Sequence, residues 1–157
     1  MSKTKIGLST VQSKHLAEKL NILLANYQIF YQNTRGFHWN ITGEKFFELH
    51  LKFEELYTDS LVKVDEIAER VLTLGYVPEH TFTDYIKLST IKELKNVTHG
   101  KKAVHGILDG FSVLLPLERE LLQLSADAND EGTNALMSDY IRQQEKLVWM
   151  YSAFLKE

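Results

Sequence analysis

Apolar side chains recur at a helical period through nearly the whole chain. Leu16, Leu20, Leu23, Tyr27, Phe30 and Thr34 keep a spacing close to 3.6 residues, which predicts a first helix from about Ser9 or Ser13 into residues 35–40. Two ends are open to it. Gly36 suits the position just beyond a helix terminus, or the helix carries Gly36 at a cost of about 1 kcal/mol and stops near Gly43. Residues 44–74 contain neither Gly nor Pro and divide, at about 100° per residue, into three faces. Leu49, Phe53, Leu56, Ser60, Val64, Ile67, Val71 and Leu74 form a stripe for the core. Lys45, Glu48, Lys52, Glu55, Asp59, Lys63, Glu66 and Arg70 form a wholly charged stripe with helix-spaced opposite charges, which reads as a solvated face. The third face, Phe47, His50, Glu54, Leu61, Asp65, Glu69 and Leu72, mixes large apolar groups with carboxylates and an imidazole. Such a mixture suits neither a core nor a free surface.

Gly75 and Pro78 end this second helix, and residues 76–89 form a long connection with room for a short helix at 83–87. Thr90-Ile-Lys-Glu93 resembles a capping box opening a third helix, which Val104, Leu108, Phe111, Leu115 and Leu122 carry to about Ser125. Gly106, Gly110 and Pro116 weaken that helix, and Pro116 is expected to kink it. After residues 126–133, Leu136, Tyr140, Leu147, Tyr151, Phe154 and Leu155 mark a fourth. The expected fold is all-α: a four-helix bundle with a short helix in the long connection between its second and third helices.

Composition narrows the chemistry. The 157 residues suffice for one domain, and eight Gly with two Pro are too few for a turn-rich β fold. A net charge of −3 gives no general attraction for nucleic acid, so such binding would need a local patch. There is no Cys, which excludes disulfides, thiolate nucleophiles and thiolate metal sites and fits a reducing compartment. Residues 1–10 carry Lys3 and Lys5 but lead into polar Gln12-Ser13-Lys14, and no run approaches 18 apolar residues. A soluble cytoplasmic protein, away from membranes, is expected.

The third face of the second helix holds the candidate chemistry. His50 and Glu54 are four residues apart, as are Asp65 and Glu69, and each pair offers ligands to one ion. Glu54 and Asp65 are 11 residues apart at nearly the same azimuth, about 16 Å along the axis, too far to share a coordination sphere. A two-fold axis near Ser60 would instead lay an antiparallel second copy alongside, bringing His50 and Glu54 of one chain to Asp65 and Glu69 of the other. Phe47, Leu61 and Leu72 would supply the apolar contact. The same pattern also fits a long amphipathic helix whose acids are solvated or salt-bridged and whose His50 only packs. Within one bundle, no His has Glu three residues before it, so the usual intra-bundle di-iron motif is absent. Neither a G-x-S-x-G elbow nor a phosphate-binding loop is present.

Gly36-Phe-His-Trp-Asn40, Gly43, Phe46-Phe-Glu-Leu-His50, Phe53-Glu-Glu-Leu-Tyr57, Asp65-Glu-Ile-Ala-Glu-Arg70, Asp130-Glu-Gly-Thr133 and Trp149-Met150 resemble Dps proteins, the mini-ferritins called DNA-binding proteins from starved cells. The resemblance implies a ferritin-like domain over residues 9–157 behind a short tail of residues 1–8, assembled as a hollow homododecamer. It implies ferroxidase centres between two-fold-related subunits, with His38, His50 and Glu54 from one and Asp65 and Glu69 from the other. Position 54 is Glu where many members have Asp. The implied reaction is oxidation of Fe²⁺, preferentially by hydrogen peroxide, followed by storage of ferric oxyhydroxide, which protects against oxidative stress. In the family, a Trp at the position of Trp39 can intercept oxidising equivalents, and packing accounts for Trp39 equally well. Acidic ion pores are implied near the last helix, where Asp130 and Asp139 fit and Ala135 departs from members with an acid there. Nucleoid DNA binding is the alternative role. Members that bind DNA often use a mobile basic tail, and here only Lys3 and Lys5 precede the first helix, so DNA binding is expected to be weak or absent.

Overall fold

The computed structural model describes residues 1–156. Among the described residues there are five helices, α1 (Thr10–Asn40), α2 (Phe46–Thr73), α3 (Phe82–Leu88), α4 (Gly100–Asp127) and α5 (Glu131–Leu155). The expected four-helix bundle is thus present, with α3 the short helix of the long connection. Ser9 caps α1 by accepting from the Gln12 N–H. Helix α1 runs through Gly36, and the chain turns instead at Gly43 and Lys45, whose φ angles are +86° and +64°. Helices α1 and α2 pack as one pair and α4 and α5 as another, with α1 also against α4 and α3. Gln12 donates to the Asp127 carbonyl at one end of the bundle, and the Thr42 N–H donates to the Thr98 carbonyl at the other. Helices α2 and α4 therefore run the same way, which is why a crossover must join them.

That crossover corrects one expectation. Thr90 does not cap a helix, and α4 begins ten residues later at Gly100. The Asn26 side-chain oxygen, buried on α1, accepts from the N–H groups of Thr90 and Ile91, each at 3.0 Å, and from Ser89 Oγ. Asn33 donates to the Lys92 carbonyl and accepts from the Leu94 N–H, both at 2.9 Å. The N–H groups of Thr90, Ile91 and Leu94 and the Lys92 carbonyl are thus committed to α1 side chains instead of a helical turn. Helix α4 then continues through Pro116 without interruption.

One end of the charged stripe of α2 is a second correction. Lys63 is buried, bonded to Asp59 Oδ2 at 2.6 Å and to Gln143 Oε1 at 2.9 Å. Glu66 accepts from the Tyr140 hydroxyl, and Arg70 pairs with Asp130. Lys63, Glu66 and Arg70 therefore reach the seam between α2 and α5, while Lys45, Glu48, Lys52, Glu55 and Asp59 stay exposed as expected, Lys52 and Glu55 as an ion pair.

Inside the bundle, Tyr27 of α1 donates to Glu118 Oε2 of α4 and accepts from the Gln144 amide of α5. Glu118 is fully buried, and its second oxygen has no partner. Burial pushes its carboxyl up to about 7, although Tyr27, Gln144, Lys63 and Arg119 all favour the charged form. Between the ordinary carboxylate range and about 7, the unfolded chain gives up this proton and the folded chain keeps it. The resulting stability is full below about 4.5 and is lost as pH rises through about 7. Glu118→Gln keeps an acceptor for Tyr27 and removes the ionisation. Its stability relative to the native chain should rise between pH 5 and 8, reaching a gain of about 1–3 kcal/mol at pH 8. Urea denaturation of both proteins across that range measures the difference, and a difference independent of pH would show that Glu118 is not the group responsible.

Candidate metal centre

The turn at residues 41–45 sets the last turn of α1 against the first turns of α2, and so places His38 beside His50. The two imidazoles stack at 3.8 Å between centroids, 11° from parallel, and Phe46 covers the other side of His50 at 5.0 Å. Each ring is fixed by the other's backbone. His38 Nδ1 lies 2.6 Å from the His50 carbonyl, and His50 Nδ1 lies 2.7 Å from the His38 carbonyl. A carbonyl only accepts, so Nδ1 carries a proton in both rings, and Nε2 is the nitrogen left to face a metal ion. This is the arrangement by which backbone carbonyls orient metal-binding histidines. The spacing to Glu54 marks His50 in the sequence, whereas His38 enters only through the family resemblance, which alone pairs it with His50 across twelve residues.

The remaining candidates lie on the outward face of α2. Glu54, Asp65 and Glu69 are exposed, as are Phe47, Leu61 and Leu72 on the same face. Two more apolar residues, Leu51 and Val62, are exposed nearby. Helix α2 is continuous from Phe46 to Thr73, so the axial distance of about 16 Å between Glu54 and Asp65 holds. Among the described residues, no three His, Asp or Glu side chains converge closely enough to hold an ion. One chain thus presents an imidazole-rich part-set at one end of α2 and a carboxylate part-set further along.

Asp130 is not a free carboxylate. It caps α5, accepting from the Thr133 N–H at 3.0 Å and from the Thr133 hydroxyl at 2.5 Å, and it pairs with Arg70 Nη2 at 2.6 Å. Arg70 also donates to Thr133 Oγ1. With its acceptors engaged inside the subunit, Asp130 is a joint between α2 and α5, which corrects the expectation that it lines a pore. Asp139 is exposed and pairs with Arg142 at 3.1 Å.

Residues 17–157 match the ferritin-like domain of the Ferritin family. The chain is 40% identical to a DNA protection during starvation protein of Porphyromonas gingivalis, across 94% of this chain and 93% of that one. Its fold superposes with a TM-score of 0.98 on a crystal structure from Vibrio cholerae O1, at 58% identity over 99% of this chain and 98% of that one. That protein is described as a Dps protein of a broad superfamily of ferritin-like diiron-carboxylate proteins. A Dps protein from Bacillus brevis matches with a TM-score of 0.90 and 34% identity, covering 95% of this chain and all of that one.

Asp130→Ala should destabilise the subunit by roughly 2–4 kcal/mol, since it removes a helix cap and leaves Arg70 without its carboxylate. Asp139→Ala, at an exposed pair, should change stability by less than about 1 kcal/mol. Denaturant midpoints of the two variants test the assignment. Equal, small effects would return Asp130 to the role of a surface charge.

Proposed function

Because this chain belongs to the Dps family of ferritin-like proteins, we propose that it oxidises Fe²⁺ with hydrogen peroxide at centres shared between two subunits and stores the ferric product. The observation that carries this reading is the reciprocal clamp on His38 and His50, which leaves two Nε2 atoms to face a metal ion on a chain that lacks the rest of a site. His38, His50 and Glu54 of one subunit and Asp65 and Glu69 of its neighbour make up the proposed ligand set. The outward apolar residues Phe47, Leu61 and Leu72 supply the contact, and bound ferrous ions offset the repulsion between carboxylates brought together there. Two Fe²⁺ reduce one hydrogen peroxide to two waters, taking up two protons, and the Fe³⁺ formed hydrolyses to oxyhydroxide. The protein's part is to hold two substrate ions where one oxidant meets both, so that peroxide takes two electrons together and hydroxyl radical is avoided. Storage follows from a hollow homododecamer, proposed from the same family. No described helix is long and apolar enough to cross a membrane, and a cytoplasmic location is part of the proposal.

Sharing between chains has a quantitative test. His50→Ala and Asp65→Ala should each abolish rapid peroxide-dependent iron oxidation, followed by iron absorbance. When the two variants are dissociated, mixed in equal amounts and reassembled, half of the two-fold pairs are mixed, and each mixed pair holds one intact centre of two. Roughly a quarter of native activity should return. Mixed assemblies verified by mass spectrometry that stay inactive would place the centre elsewhere.

Nucleoid binding is the competing role, and the N-terminus speaks against it. The Thr4 N–H donates to the Leu8 carbonyl at 2.8 Å, and the Thr10 N–H donates back to the Ser2 carbonyl at 3.2 Å. Lys3 and Lys5 therefore sit in a folded hairpin at the start of α1. Twelve chains of net charge −3 give an assembly of about −36, which repels phosphate. No DNA complex is expected at about 0.15 M salt and neutral pH. A gel shift under those conditions that disappears when Lys3 and Lys5 are replaced by Ala would promote the DNA-binding role.

A further inference from the structure

Beside the candidate centre, one cation is ringed by oxidisable side chains. The guanidinium carbon of Arg35 lies 4.7 Å from the Trp39 ring centroid, 5.3 Å from Tyr31 and 5.9 Å from Tyr57. These rings reach the centre itself. Tyr57 meets His38 edge-on at 5.3 Å, and Tyr31 meets Tyr57 edge-on at 5.9 Å. A path of ring contacts therefore leads from a candidate metal-binding imidazole to Tyr57 and Tyr31 and, through Arg35, to the exposed Trp39.

Trp and Tyr are among the side chains that give up an electron most readily, and this chain has no Cys to compete with them. A guanidinium against a neutral ring is attracted to its electron-rich face. Once the ring has lost an electron it is positive, and the same contact becomes repulsion between two charges about 5 Å apart in a partly desolvated place. Arginine keeps its proton at any accessible pH, so this charge is permanent, and it offers no base for the phenolic proton that an oxidised tyrosine must release.

We propose that Arg35 is a positioning residue whose fixed charge makes Trp39, Tyr31 and Tyr57 hard to oxidise, keeping oxidising equivalents on iron and off the protein, so that Trp39 here departs from the interceptor role the family resemblance implies for it. The purpose rests on the iron-oxidation reading, whereas the electrostatic effect belongs to the chain alone. The step opposed is a one-electron loss. Fe²⁺ and hydrogen peroxide outside a paired site give Fe³⁺, hydroxide and hydroxyl radical. The radical takes one electron from a ring to become hydroxide, and the oxidised Trp or Tyr releases its N–H or O–H proton to water.

The effect is measurable without iron. Metal-free protein carrying Trp149→Phe, so that Trp39 is its one indole, is mixed with hexachloroiridate(IV), a one-electron oxidant. Its consumption is followed by stopped-flow absorbance, and the oxidised residues are located by peptide mass spectrometry. Arg35→Met and Arg35→Gln should each react about fivefold or more faster, with the added oxidation at Trp39, Tyr31 and Tyr57. Arg35→Lys should stay near the Arg35 rate. The oxidant is a dianion and is drawn less to the neutral variants, so a faster reaction is not a steering effect. Unchanged rates in either neutral variant with a native circular-dichroism spectrum would overturn the proposal. A Lys variant as fast as the Met variant would assign the effect to packing and overturn it as well. In a parallel arm, Fe²⁺ followed by hydrogen peroxide should reproduce the rise at the same three residues. A rise with iridate but none with iron and peroxide would leave the charge effect standing and count against iron oxidation at this site.

Discussion

Helix α1 is buried along most of its length, and four polar side chains on its covered faces, Asn26, Tyr27, Asn33 and His38, reach partners in neighbouring elements. Those partners fix the rest of the subunit. Asn26 and Asn33, two turns apart, hold the crossover. Tyr27 ties α4 and α5 together through Glu118 and Gln144. His38, in the last turn, clamps α2 through His50. An unpaired buried amide or hydroxyl would cost more than a made hydrogen bond contributes, so each of these reaches specifies one neighbour and one register.

Helix α2 carries charge on two faces, and the structure uses them differently. One face meets α5, where Lys63, Glu66 and Arg70 are paired inside the subunit. The other leaves Glu54, Asp65 and Glu69 exposed between large apolar residues. Charges that a single chain can satisfy serve its own stability, and charges that it cannot satisfy mark where the proposed function needs a neighbour.

Periodicity made the helices, the core stripe of α2 and the unusual third face legible, because burial of one side of a helix leaves a repeating trace. Three features left none. Lys63 and Glu66 read as solvated with the rest of the charged stripe because long side chains at a helix seam have the same composition as those in water, and only the approach of Tyr140 and Gln143 distinguishes them. Thr90 and Glu93 have the right spacing for a cap, yet the competing acceptor is Asn26, far away in sequence. Asp130 matched a family pattern of pore acids, while its actual partners, Arg70 and Thr133, come from the subunit's own interior. The candidate centre was half legible: the four-residue steps on α2 were plain, and the backbone clamp that orients both imidazoles depends on a turn geometry no spacing encodes.

The pinned crossover also sets an order of events during folding. Each helix pair joins segments close in sequence through a short turn, so α1 with α2 and α4 with α5 are local contacts that close rapidly. Residues 89–94 have no such route, since their backbone partners are side chains on α1 that become a docking strip only once that helix exists. The connection is therefore expected to settle last. In the folded subunit Asn26 and Asn33 act as the latch that fixes the path of the crossover against α1.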